Sequence, residues 1–124
     1  MIPDKLPSLA EHELKPWFEK GDMIVACIAQ LKKDVGAYGI HIEVSGNPLT
    51  AYTEMAAQLE PQLKVLLSKE TSLQALLYRI DLDERAVKSI DTREETFTSA
   101  LTRLILWREL QKVVTRKIMS QEKK

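Results

Sequence analysis

The sequence predicts an all-α fold: a compact bundle of four to six helices with one extended connection, at about residues 39–45, and a long C-terminal helix, at about 93–119. Three observations lead there. Apolar residues recur at helical spacing in four separate stretches, as in Ile24, Ile28, Leu31 and Val35 at i, i+4, i+7 and i+11. Strand-like alternation occurs in a single run, Ile40, Ile42 and Val44 between His41, Glu43 and Ser45. Helix punctuation (caps, glycines and prolines) falls between the periodic stretches rather than inside them, apart from Pro61.

At 124 residues the chain fits one domain, 1–124, and can bury a core without disulfide or metal staples. Ser8 and Glu11 form an S-x-x-E capping box, so a short helix is expected from about Leu9. Lys15-Pro16 then disfavours helix at Lys15, and Trp17 and Phe18 are expected to pack on the bundle. Gly21-Asp22 is a break followed by a cap. Behind it, Val25 and Cys27 widen the Ile24 to Val35 stripe, and Gly36 is expected to stop the helix.

The run "GIHIEVSGNP" has no partner strand elsewhere in the chain, and a lone strand cannot satisfy its own ladder. It is expected to be a strap across the bundle, an irregular hairpin, or an edge that pairs with another chain. Asn47 and Pro48 then suit the cap and first turn of the next helix. That helix places Tyr52, Met55, Ala56, Leu59, Leu63, Leu66 and Leu67 on one face, and Pro61 predicts either a kink or two abutting helices. Leu73, Leu76, Leu77 and Ile80 form the following stripe, and "DERAVKSI" reads as a short helix.

Asp81, Asp83 and Glu84 lie at the joint between them and make the most chemical-looking cluster in the chain. A calcium loop of the EF-hand kind needs glycine at its sixth position and glutamate at its twelfth; counting from Asp81 those are Ala86 and Thr92. Cap chemistry accounts for the cluster instead: Asp83 caps a helix from Glu84, and Asp91 or Thr92 caps the last helix. No Walker, dinucleotide or G-x-S-x-G signature is present. Cys27 reads as an inert core thiol, and no metal or cofactor is expected. His41 with Glu43, and with Tyr52 or Tyr78 nearby, is the one pairing that could serve acid–base or ligand-binding chemistry.

Net charge is zero but uneven. Residues 1–35 hold five basic and six acidic groups, 36–102 hold six and ten, and 103–124 hold seven and two. The cations of the last segment spread around the helix at about 100° per residue rather than forming one stripe, so a nucleic-acid accessory role through this basic tail is the weaker alternative. Residues 120–124 are expected to be a disordered tail. The longest stretch free of charged residues, Val44 to Thr53, is far short of the ~20 apolar residues of a membrane span. The early acidic residues and the single cysteine suit a cytoplasmic protein.

The last helix carries the sharpest expectation. Phe97, Ala100, Leu101, Leu104 and Ile105 lie on one side, and Leu106, Trp107, Leu110, Val113, Val114 and Ile118 on the other. A small bundle covers the first face readily. The second, with Leu106, Leu110, Val113 and Val114, is expected to be shared between the segment carrying Trp17 and Phe18, the one part of the chain left to cover it, and a second copy of the chain. The function expected is thus a non-catalytic protein–protein interaction module that self-associates. The alternative is a small enzyme or ligand binder with a cleft near His41 and Glu43.

Overall fold

The computed structural model describes residue 16, residues 20–93 and residues 95–122, with the side chains of Glu70 and Glu122 left aside. The capping box at Ser8, the Trp17–Phe18 segment and residues 123–124 lie outside the described residues. Among the described residues five helices follow in order: α1 Gly21–Gly36, α2 Ala51–Leu67, α3 Glu70–Ile80, α4 Glu84–Lys88 and α5 Phe97–Glu122. No strand occurs among the described residues, so the all-α expectation holds. At 26 residues α5 is about 39 Å long and packs against all four other helices.

Why α5 changes face is visible in its neighbours. Thr98 on α5 meets Glu60 on α2 at 3.1 Å, and Trp107 lies 5.8 Å, ring to ring, from Tyr52. As the numbering rises along α5 it falls along α2, so the two run antiparallel over the first half of α5. Further on, Lys112 meets Asp34 of α1 at 2.8 Å and Lys117 meets Asp22 at 3.4 Å. Hence α1 runs antiparallel to the second half. The apolar face moves because the covering helix changes. Leu106, Leu110 and Val114 are fully buried, Val113 is 3% exposed, and all four belong to the single chain's core with Ile24, Leu31, Leu63 and Ile105. The exposed patch that motivated a shared face there is absent. Sequence reasoning left only the Trp17–Phe18 segment to cover that side and overlooked α1.

Several ends differ from the local expectation. The stop after α1 does not use Gly36, which is helical; the left-handed residue is Gly39, at φ 80°, and Ile40 N–H reaches back to the Val35 carbonyl. Asn47 and Pro48 form a turn rather than a helix start, with the Leu49 N–H on the Asn47 side chain, and α2 begins three residues later. α2 runs unbroken through Pro61. Both Pro61 and Ala57, whose carbonyl loses its helix donor, are exposed, so water can satisfy that carbonyl. The cap of α5 is Thr96, whose hydroxyl accepts the Ser99 N–H at 3.1 Å, not Asp91 or Thr92. At its far end α5 continues to Glu122, so residues 120–122 are helical rather than tail.

The segment 40–45 is the extended connection, and it lies as a strap along α2. Ile40 and Ile42 are buried and Val44 half-buried, while His41, Glu43 and Ser45 are exposed. The ladder partner that sequence reading could not find is a column of helix side chains. Gln62 accepts the His41 N–H at 2.9 Å and donates to its carbonyl at 2.8 Å. Gln58 accepts the Glu43 N–H at 2.6 Å and donates to the Glu43 carbonyl, and Glu54 accepts the Ser45 N–H at 2.8 Å. The match is metric: four helical residues rise about 6.0 Å, and two extended residues advance about 6.6 Å.

Candidate functional site

The D-x-D-E joint resolves into helix ends. Asp81 closes α3 in the left-handed conformation at φ 62°, and Arg108 of α5 donates to both its carbonyl and its carboxylate at 3.0 Å. Asp83 caps α4, accepting the Arg85 N–H at 2.9 Å. Asp83→Ala should therefore cost about 1 kcal/mol. Urea unfolding measures this, and a loss several times larger would show the carboxylate holding more than a cap. Among the described residues no group of three or more His, Cys, Asp and Glu side chains converges as metal ligands would.

His41 and Glu43 do pair, Nε2 to Oε1 at 3.0 Å, but both stand in water, 77% and 74% exposed. Tyr52 lies ring to ring with Trp107 at 5.8 Å, and Tyr78 stands 88% exposed on α3. A hollow of about 410 Å³ between α4 and α5 is lined by Ala86, Ser89, Ile90, Asp91, Glu95, Arg103 and Leu104, and includes neither residue. Four of the seven C-terminal cations are held by carboxylates of the chain itself: Arg103 by Glu95, Arg108 by Asp81, Lys112 by Asp34 and Glu109, and Lys117 by Asp22. That disposition suits the inside of a bundle better than a phosphate backbone.

The charged constellation that sequence reading missed lies where α1, α3 and α5 meet. Asp34 sits between Leu31 and Val35 on the buried stripe of α1, and Glu109 beside Leu110 on the buried face of α5. Asp34 is 4% exposed and Glu109 is fully buried. Asp34 Oδ2 accepts from Lys112 Nζ at 2.8 Å and from Gln30 Nε2 at 3.0 Å, and its Oδ1 lies 3.4 Å from Arg79 Nε. Glu109 Oε1 lies 3.1 Å from the same Lys112 Nζ. The available signal was an acidic residue at i+3 or i+4 within an apolar stripe, once on each of two helices.

The two carboxyls divide their roles by environment. Burial pushes Glu109 up to about 8, and the neighbouring Asp34 reinforces this against the opposing charge of Lys112. Burial also acts upward on Asp34, but hydrogen bonds from Glu109, Lys112 and Gln30, with the Lys112 charge, outweigh it and bring Asp34 down to about 2. At neutral pH the cluster is thus one carboxylate held by two cations and one neutral acid able to donate to it. Beside them the Cys27 thiol is pushed up to about 12, by burial first and then by Glu109, so it is protonated and unreactive as a nucleophile. With Glu109 fully buried, this constellation can hold a proton and fix helix register.

Among the described residues, fold and cluster together define a small bundle of five helices, closed over a buried ionic core at the α1–α3–α5 junction and banded on one side by an extended strap. No family model, no curated protein and no solved structure matches the chain.

Proposed function

We propose that the chain is a non-catalytic protein–protein interaction module that self-associates in the cytoplasm. The observation that supports it most is what the surface keeps after folding. The densest charges are turned inward, whereas Tyr78 on α3 stands 88% exposed, as does Leu49 beside the strap, with Val25 and Val65 at 63%. Exposed tyrosine is the kind of side chain that anchors interfaces, having large apolar area and few rotatable bonds. Among the described residues no helix is long and apolar enough to cross a membrane.

A second reading, ligand binding at the strap, rests on the His41–Glu43 contact at 3.0 Å. Its weakness is exposure, since a ligand there would keep most of its polar contacts in water. Light scattering coupled to size exclusion tests the leading reading. A mass that rises toward the dimer over tens of micromolar is the expected result, and a strict monomer throughout would remove self-association.

A further inference from the structure

Two surface features fit one another. One is Tyr78, whose side chain stands out from the last turn of α3, 88% exposed. The other is the hollow of about 410 Å³ between α4 and α5, near the small end of ligand pockets, which hold roughly 300–1,000 Å³. They lie on either side of one bridge. Asp81 and Arg108 join the end of α3 to α5 at 3.0 Å. Tyr78 stands one turn before Asp81 on α3, and Leu104, in the wall of the hollow, one turn before Arg108 on α5.

The chemistry of the hollow selects its occupant. Ala86, Ile90 and Leu104 give it an apolar wall. Its charged groups are already paired, Glu95 with Arg103 at 2.7 Å and Asp91 with Arg93 at 3.1 Å. A charged occupant would leave one charge in excess where the contact excludes water, so a neutral one is favoured. A purely apolar one, such as the equally exposed Leu49, would cover the carboxylates without offering them a donor. A phenol meets both demands. Its ring lies on the apolar wall with the Arg103 guanidinium against its face, and its hydroxyl donates to Glu95 or Asp91.

We propose that Tyr78 of each copy of the chain seats in the α4–α5 hollow of the other, about a two-fold axis beside the Asp81–Arg108 bridge. The proposal rests on the self-association reading and gives it a surface, in place of the Leu106 to Val114 face that the fold has covered. The contact is its own complement, since tyrosine meets hollow twice, as two-fold symmetry requires. A seated tyrosine buries about 150–250 Å². Two tyrosines and the two walls they cover therefore remove roughly 600–1,000 Å² from water, below the ~1,200 Å² at which standard interfaces begin. That sets a weak dimer, in line with association over tens of micromolar.

Symmetry supplies the test. Tyr78→Ala removes the inserted ring, and Ala86→Trp fills the hollow; Ser89→Trp fills it from an exposed position on the same rim, should Ala86→Trp disturb the fold by circular dichroism. Each variant lacks both contacts in its own dimer, but an equal mixture of Tyr78→Ala with a filled chain keeps one. Losing one contact should weaken association about thirtyfold, the size of a central interface tyrosine, and losing both roughly a thousandfold. In sedimentation equilibrium each variant alone should stay monomeric where the parent dimerises. The mixture should associate about thirtyfold more tightly than either of its parts. Tyr78→Phe, which keeps the ring, should weaken the dimer less than Tyr78→Ala. A parent dimer that Tyr78→Ala matches, or a mixture no tighter than its parts, overturns the tyrosine seat and leaves self-association standing; a strictly monomeric parent overturns both.

Discussion

Asp34→Ala is expected to destabilise the protein by about 3–5 kcal/mol, the cost of removing one partner from a buried ion pair. Asp34 joins three helices at one side chain, bonding Gln30 within α1, Arg79 on α3 and Lys112 on α5. Without it Lys112, only 16% exposed, faces Glu109 alone. Ionisation of Glu109 can then recover part of the loss, which places the effect toward the lower end near neutral pH. The same site sets an acid limb. Because the folded pKa of Asp34 lies at about 2, below its ordinary 3.8, its contribution is complete above that ordinary value and lost as pH falls toward about 2. Urea denaturation at neutral pH gives the size. A change below about 1 kcal/mol, in the range of an exposed pair, would mean the junction contributes little to holding the helices.

Glu109→Gln should act in the opposite sense, and only at higher pH. The folded protein holds a proton on Glu109 up to about pH 8, whereas an ordinary glutamate releases it near 4.5. The stability tied to that proton is therefore complete below about 4.5 and is lost as pH rises through about 8. Glutamine keeps the shape and has no proton to lose. Relative to the parent it should gain a few kcal/mol between about pH 5 and pH 9, because a tenfold difference in proton affinity between folded and unfolded chains corresponds to about 1.4 kcal/mol. Melting temperature against pH measures this directly. Parallel curves for the two proteins would show that Glu109 has the same proton affinity in the folded and the unfolded chain. In the Asp34→Ala background the difference should shrink, because the neighbouring carboxylate that raises Glu109 is gone and Lys112 is free to pair with it.

The helical class, the order of the helices and the face change along α5 were all present in local patterns. Ile24 to Val35, Leu73 to Ile80 and Phe97 to Ile118 each carry a period that only a helix satisfies, and Asp83 caps α4 as its sequence position demands. Periodicity states which side of a helix is apolar; it does not state which neighbour covers it. That α1 packs along the second half of α5, where Leu110 and Val113 are buried within the single chain, depends on contacts between residues some eighty positions apart, as in Asp34 with Lys112. The strap was legible as extended backbone in search of a partner. Its partner proved to be Glu54, Gln58 and Gln62, three polar residues one turn apart that look like an ordinary solvated face until the strap is laid beside them. The buried carboxyls follow the same logic. An acidic residue in an apolar stripe is a local anomaly, and only the tertiary arrangement, by placing Lys112 and Arg79 against Asp34 and Asp34 against Glu109, decides which of the two keeps its charge.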